Sequence, residues 1–298
     1  MRLETTRCIP RLLEIGGSIA LVIIAVVFCY TNSFGLLQVQ PKESLEEYQW
    51  GELKAIATMI ADAETDEEAI GIAHTYGLCD EDGKLRLDDT KTVYFRGGLD
   101  EKQIRIIGFR HDVINDEKKA GITFCFCESF DCIPMYYTWG SSPSTIGWEQ
   151  SGARHRLMEC VVTQTAVPDG VDSKLARVIA EVQKKTLAYD LSSQSFVEGV
   201  CGDRLFLLSH SEVFGDGQNA REGQDETYNL AYEGEQYQFF REATEEEIRQ
   251  MIISPEKSMW LRSHARSNPR KFLAISTKGT VVSKNAGNAN DALVAFCL

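Results

Sequence analysis

The sequence predicts an α+β fold: a mixed, mainly antiparallel sheet with flanking helices, preceded by one N-terminal hydrophobic helix. Three observations lead to this prediction: an uncharged apolar stretch near the amino end, helical periodicity in the segment that follows, and a later change to the period-two pattern of strands. Helical and strand segments do not alternate regularly along the chain, so the pattern favours α+β over a doubly wound α/β sheet.

The amino end has the composition of a membrane anchor. Residues 15–38 contain no Asp, Glu, Lys, Arg or His, and residues 15–37 supply the roughly 20 apolar positions that a helix needs to cross a bilayer. Three arginines in the tail, residues 1–14, favour a cytoplasmic tail and an extracytoplasmic main domain. A cleaved signal peptide and a buried helix of a soluble protein are the alternatives.

Residues 38–89 are predicted to form a helical stalk or linker, or else a lid on the main domain. Apolar residues recur at intervals of three and four from Leu45 to Ala63, which indicates an amphipathic helix. The sequence Thr65–Glu68 is a capping-box pattern, so a second helix is expected from there to Tyr76, ending at Gly77.

The remaining residues, 90–298, mix strands and helices. Segments rich in β-branched and aromatic residues predict an antiparallel meander, and they are Thr92–Phe95, Gln103–Ile107 and Gly121–Cys127. One apolar stripe predicts a helix from about Ser173 to Ala188, Arg204–Ser209 has strand character, and Thr244–Glu247 begins another capped helix.

The net charge and the known catalytic motifs that are missing from the sequence argue against several classes of function. The chain carries 31 Lys and Arg against 44 Asp and Glu, a formal net charge of −13, which argues against a nucleic-acid partner. No nucleophile elbow, zinc-protease motif, phosphate-binding loop or dinucleotide fingerprint occurs. The sequence therefore assigns no catalytic residue, no metal ligand and no cofactor.

Cysteine is the first residue type that could carry chemistry. Cys125 and Cys127 share one face of a predicted strand, and Cys132 follows five residues later. A thiol- or metal-dependent enzyme could use this trio. Structural zinc more often takes four ligands in paired knuckles, and free cysteines are usually small buried hydrophobes.

A second cluster combines an aromatic residue with cationic side chains: Trp260, Arg262, His264 and Arg266. A rigid aromatic face beside forked donors suits recognition of a carbohydrate or a protein, so these four residues are the predicted ligand-binding residues. The competing interpretation is that Trp260 lies in the core.

Five segments then follow one another in a recognisable order: Gly121–Phe124, Gly147–Arg154, Leu205–Gly215, Glu233–Tyr237 and Trp260–Ser263, before closing strands around Gly279. Over about residues 90–298 this order resembles a bacterial, Firmicutes-type family of domains of unknown function, number six-two-seven-three. The resemblance implies a distant relation to the C-type-lectin-like and formylglycine-enzyme-like folds. No lectin calcium motif is recognisable, and the copper-binding cysteine pair of formylglycine-generating enzymes does not map onto Cys125 and Cys127.

Taken together, these features predict a non-catalytic binding domain for an unknown protein or carbohydrate. It would be anchored in the bacterial cell membrane by a single span, with the lipid bilayer as a partner of the N-terminal helix. Two alternatives stay open: an enzyme that uses the Cys125, Cys127 and Cys132 cluster, and a structural envelope or pilus-like subunit.

Overall fold

A computed structural model describes the fold. The described residues are 39–95, 100–115, 118–136, 144–161, 171–215, 229–252, 256–266 and 268–298. Contacts divide the chain into residues 1–40 and a compact unit, residues 41–298. The predicted tail, 1–14, and the predicted span, 15–37, lie outside the described residues. Within the described part of the chain, no helix combines the length and the apolar character needed to cross a membrane.

Helices flank the strands along the chain. The α-helices are α1 (Trp50–Asp62), α2 (Asp66–Thr75), α3 (Gly152–Glu159), α4 (Ser173–Val178), α5 (His210–Phe214), α6 (Gln238–Glu242) and α7 (Glu245–Ile252). Short 3-10 helices are Leu45–Glu47, Trp148–Gln150 and Leu230–Glu233. The first strands are β1 (Lys91–Phe95), β2 (Asp100–Phe109), β3 (Val113–Asn115), β4 (Lys118–Lys119), β5 (Ile122–Phe126), β6 (Cys132–Pro134) and β7 (Thr145–Gly147). The later strands are β8 (Val182–Asp190), β9 (Ser195–Asp203), β10 (Phe206–Leu207), β11 (Met259–His264), β12 (Lys271–Ile275), β13 (Val281–Asn285), β14 (Ala289–Ala292) and β15 (Val294–Cys297).

The described strands form three sheets, so the predicted α+β class with mainly antiparallel pairing is confirmed. The first sheet has the order β1-β2-β5-β15-β10, in which β1, β2 and β5 are the expected meander. The second has the order β13-β12-β11-β14-β6, with β11 and β14 parallel. The third has the order β4-β3-β8-β7, and β9 also pairs with β8.

Helix α1 packs on the first sheet. Trp50 meets the rings of Phe124 and Phe296 edge-on, at centroid distances of 6.5 and 6.4 Å. At Gly121, just before β5, an added Cβ would lie 1.8 Å from the backbone oxygen of Ala57 in α1. Only glycine allows this close approach of helix to strand.

The predicted caps are confirmed at two helices. The Thr65 hydroxyl accepts a hydrogen bond from the Glu68 amide, and α2 ends before Gly77, which has a φ of +68°. At α7 the Thr244 hydroxyl accepts from the Glu247 amide, while the Glu247 carboxylate accepts from the Thr244 amide. Both patterns satisfy backbone N–H groups that lack partners within the helix.

The predicted helix from Ser173 to Ala188 is wrong beyond Val178. From Val182 the chain forms β8, which pairs with β9 along its whole length and whose side chains alternate between interior and surface from Val182 to Thr186. Every residue of β8 has a partner residue on β9. This pairing outweighs the helical spacing of the apolar residues. The strand expected over Arg204–Ser209 is also shorter, because Ser209 caps α5 instead.

Candidate binding pocket above a buried charge network

Lys184 lies at the centre of a network of buried charged side chains. Its neighbours on β8, Gln183 and Lys185, are exposed, whereas the Lys184 side chain points inward because strand residues alternate between faces. Its ammonium lies 2.5 Å from Asp112 Oδ1 and 2.6 Å from Glu212 Oε1. It also donates to the Tyr237 hydroxyl over 3.2 Å, so all three protons have partners.

Asp112, the residue immediately before β3, accepts several further hydrogen bonds. Thr123 donates to Oδ2 over 2.7 Å, the Tyr237 hydroxyl lies 2.9 Å from both oxygens, and the Cys297 thiol donates to Oδ2 over 3.3 Å. Burial raises the pKa of Asp112, but the Lys184 ammonium and His111 together outweigh burial and hold the pKa of the carboxyl well below its usual value. Burial likewise disfavours the Lys184 ammonium, yet Asp112 and Glu212 raise its pKa above the ordinary value.

Arg262 on β11 forms a two-pronged ion pair with Glu212 of α5. The two nitrogen–oxygen distances are 2.5 and 2.8 Å, and the guanidinium also donates to the carbonyl oxygens of Leu207 and Glu233. Burial raises the pKa of Glu212, but Arg262 and then Lys184 reverse this effect and lower it to about 2. Glu212 is therefore ionised at neutral pH although it is buried.

Glu233 completes the network. Its carboxylate accepts from the Leu187 amide over 3.1 Å and from the Ser263 hydroxyl. Burial raises its pKa, and Arg262 offsets only part of that effect. Two cations, Lys184 and Arg262, thus face the ionised Asp112 and Glu212, and burial favours the neutral form of the third acid.

A polar pocket of about 230 Å³ lies directly above this network. Its walls are formed by His111, Asp112, Val113, Lys119, Gln183, Lys184, Lys185, Glu212, Glu233, Gly234 and Glu235. His111 stacks on Tyr237 with ring centroids 3.9 Å apart, and its Nε2 lies 3.1 Å from the Glu235 carbonyl oxygen. Its Nδ1 lies 3.7 Å from Asp112 Oδ2, beyond hydrogen-bond distance.

Three segments that carried the family resemblance meet here, since they supply Glu212, Glu233 with Tyr237, and Arg262. A family model described as "Domain of unknown function (DUF6273)" matches residues 136–298, more than half of the chain. The chain belongs to this family. The DUF6273 match is the C-terminal part of the region, 90–298, over which the sequence shows the resemblance. Neither a search of curated proteins nor a search of solved structures found a match.

Among the four predicted ligand-binding residues of this DUF6273 domain, three are buried. Trp260 donates to the Ile133 carbonyl oxygen over 2.8 Å, and Arg262 lies in the network. The His264 ring contacts the carbonyl oxygens of Ala265 and Pro269, and burial lowers its pKa to about 4. Arg266 is half-buried in the turn after β11. Arg262 reaches the pocket base through Glu212, and the binding role of the four residues stays a prediction.

The three cysteines Cys125, Cys127 and Cys132 differ in burial and in their contacts. Cys125 is buried, and burial raises its pKa well above the ordinary value, whereas Cys127 and Cys132 are half-buried. Arg105 donates to the Cys127 sulfur over 3.3 Å, and Lys257 lies 2.9 Å from the Cys132 sulfur. In the described residues, no group of three or more His, Cys, Asp or Glu side chains is arranged to hold a metal ion.

Sequence reasoning did not bring together the central members of the network, Asp112, Lys184, Glu212 and Glu233. Lys184 had a local signal: it shares the parity of Val182 and Thr186, so a strand assignment would have placed it on the buried face. Glu212 also had a local signal, because it is the acidic member of the capping box that begins at Ser209. No local pattern relates either residue to Asp112 or Arg262.

Proposed function

We propose that this protein is a non-catalytic binding domain whose pocket holds a small polar ligand, either a sugar or polar side chains of a partner protein. The observation that carries the proposal is the pairing of the charged groups beneath the pocket. Lys184, Asp112 and Glu212 direct their protons and lone pairs at one another rather than at the pocket. Such a base positions the walls and keeps the Lys184 amine and both carboxylates engaged with one another instead of with a ligand.

The rim supplies the contacts that a sugar or a polar side chain needs. His111, Gln183, Lys185 and Glu235 place donors and acceptors around one opening. The volume, about 230 Å³, is smaller than the roughly 300 Å³ at which pockets for drug-sized molecules begin. A single sugar ring or one or two side chains match this size.

We further propose that the domain is displayed at the outer face of a bacterial cell membrane. The support is the uncharged segment at residues 15–37, the basic tail before it, and the resemblance to a bacterial family. A distant C-type-lectin-like relation is part of this proposal. It is supported by the order of the Trp260–Ser263 segment, a glycine turn at Gly279 and a terminal strand.

Ligand binding is tested with the full chain in mild detergent by saturation-transfer NMR. The probes are N-acetylglucosamine, galactose, mannose and sialic acid, together with a mixture of short charged and polar peptides. We expect transfer to at least one probe, and its loss in the double variant Gln183→Ala/Glu235→Ala. Lys278→Ala, an exposed change in the turn between β12 and β13, is the matched control. Absence of transfer from every probe, or equal transfer in both variants, contradicts the assignment of this pocket.

Anchoring of the protein in the membrane is tested separately by carbonate extraction of cells that express the full chain. We expect the chain to stay in the membrane pellet, and a variant that lacks residues 1–40 to be found in the soluble fraction. Release of the intact full chain by carbonate would refute the anchor and leave the pocket assignment untouched.

A further inference from the structure

Three reactive side chains lie in contact at the base of the pocket and are shielded from water. Lys184 Nζ is 2.5 Å from Asp112 Oδ1 and 2.6 Å from Glu212 Oε1, and the three side chains are 3%, 2% and 1% exposed. We propose that Lys184 and Asp112 condense into an intramolecular amide, an isopeptide cross-link, with Glu212 as the group that transfers a proton. This modification goes beyond the proposed binding function and does not depend on any ligand.

Burial reduces the cost of converting the charged pair into the neutral forms from which an amide is made, although neighbouring charges keep both groups ionised in the resting fold. Burial by itself disfavours both the ammonium and the carboxylate, whereas Asp112 and Glu212 keep Lys184 charged, and Lys184 with His111 keeps Asp112 charged. Aromatic rings form the nearby walls, since the Phe206 and Tyr237 ring centroids lie 4.1 and 5.6 Å from Nζ. Transfer of one proton from Nζ to Asp112 removes both charges at once and leaves an amine in contact with a carboxylic acid.

The condensation balances without any further reactant. The Nζ lone pair attacks Asp112 Cγ, and the new nitrogen–carbon bond replaces the bond between Cγ and Oδ1. Oδ1 leaves as water with two protons from the original ammonium, one passed directly and one through the Glu212 carboxylate. An ammonium and a carboxylate thus become one neutral amide and one water, with no change of oxidation state.

The other carboxylate oxygen of Asp112 is held as the intermediate requires. Thr123 and Tyr237 donate to Oδ2 over 2.7 and 2.9 Å, which stabilises negative charge on that oxygen when nitrogen adds to Cγ. Because the fold holds the amine and the carboxyl in contact, the reaction is intramolecular and gains the advantage of proximity. The bond would join β8 to the residue immediately before β3, 72 residues apart along the chain.

Peptide mapping of the wild-type protein tests whether the amide between Lys184 and Asp112 forms. The purified full chain is reduced, denatured and digested with trypsin, which cannot cleave after an amidated Lys184. We expect residues 111–118 and 178–185 as one branched peptide, lighter than the sum of the two by one water. If the digest of the folded protein instead yields separate peptides 111–118 and 178–184, the cross-link does not form and the proposal is overturned.

Variants test the roles of Lys184 and Glu212 in forming the cross-link. Lys184→Arg keeps the charge but cannot form the amide, so only separate peptides are expected, whereas Lys91→Arg should retain the branched peptide. Lys91 is the matched control because it too is buried, at 6% exposure, and its ammonium donates to a backbone oxygen. Glu212→Gln, checked for folding by circular dichroism, should leave the peptides separate. A branched peptide in that variant would remove Glu212 from the reaction, and should the variant not fold, the digest of the wild-type protein alone decides whether the cross-link forms.

Discussion

Replacement of Arg262 by methionine tests the charge network most directly. The change preserves much of the side-chain length and apolar stem but removes the guanidinium, which contacts both oxygens of Glu212 and the carbonyl oxygens of Leu207 and Glu233. Where Lys184 is not cross-linked, Glu212 then keeps the Lys184 ammonium as its remaining cation. The buried Glu212 carboxylate then has one cationic partner in place of two, and two carbonyl oxygens lose a hydrogen-bond donor.

The magnitude follows from these losses. Removal of one partner of a buried ion pair typically costs about 3–5 kcal/mol, because the other charge stays buried. Each carbonyl left without its donor adds roughly 1 kcal/mol. Since small domains are stable by only about 5–15 kcal/mol, Arg262→Met is expected to lose a large share of the free energy of unfolding.

The assay is urea unfolding followed by tryptophan fluorescence, with the free energy of unfolding taken from linear extrapolation. Arg249→Met is the control: this arginine is exposed on α7, and the change should shift the value by less than about 0.5 kcal/mol. A double variant, Arg262→Met/Glu212→Gln, should be more stable than the sum of the single changes predicts, because it removes both charges. A loss below about 1 kcal/mol for Arg262→Met would refute the network as described.

Three further predictions use other parts of the chain. Gly121→Ala should destabilise by at least about 1–3 kcal/mol because its Cβ meets Ala57, whereas Gly71→Ala, with open space on α2, should gain up to about 1 kcal/mol in thermal melts. Burial lowers the pKa of His264 from 6.5 to about 4, so its contribution, complete above pH 6.5, should be lost as pH falls toward 4; pH-dependent unfolding of His264→Gln against wild type measures this. Native thiol labelling should reach the half-buried Cys127 and Cys132 before the buried cysteines, and mass mapping of labelled peptides checks that order.

The local parts of the fold could be read from the sequence. The caps at Thr65 and Thr244 and the meander of β1, β2 and β5 depend on residues close in the chain, and all are confirmed. The segment after Val178 could not be read in this way, because its apolar spacing fits a helix and a strand alike. Pairing with β9 decides between them, and that pairing depends on a second segment.

Exposure was the harder property to infer. The sequence of β11 contains Trp260 and Arg262, which are common at binding surfaces, yet every residue of this strand is buried. A strand covered on both faces shows no alternation between apolar and polar residues that would indicate its environment. A buried arginine must have a carboxylate partner, but nothing within β11 indicates that the partner is Glu212, fifty residues away.

The pocket also depends on a region that the family match does not cover. Lys184, Glu212 and Arg262 lie within residues 136–298, whereas Asp112, the carboxylate closest to Lys184, lies before them. Without Asp112, the Lys184 ammonium would keep Glu212 as its carboxylate partner, and burial would favour its neutral amine. We therefore expect the pocket and the proposed cross-link to require residues 41–135 as well as the matched region. A chain restricted to residues 136–298 that still bound the same ligand would place the binding site elsewhere.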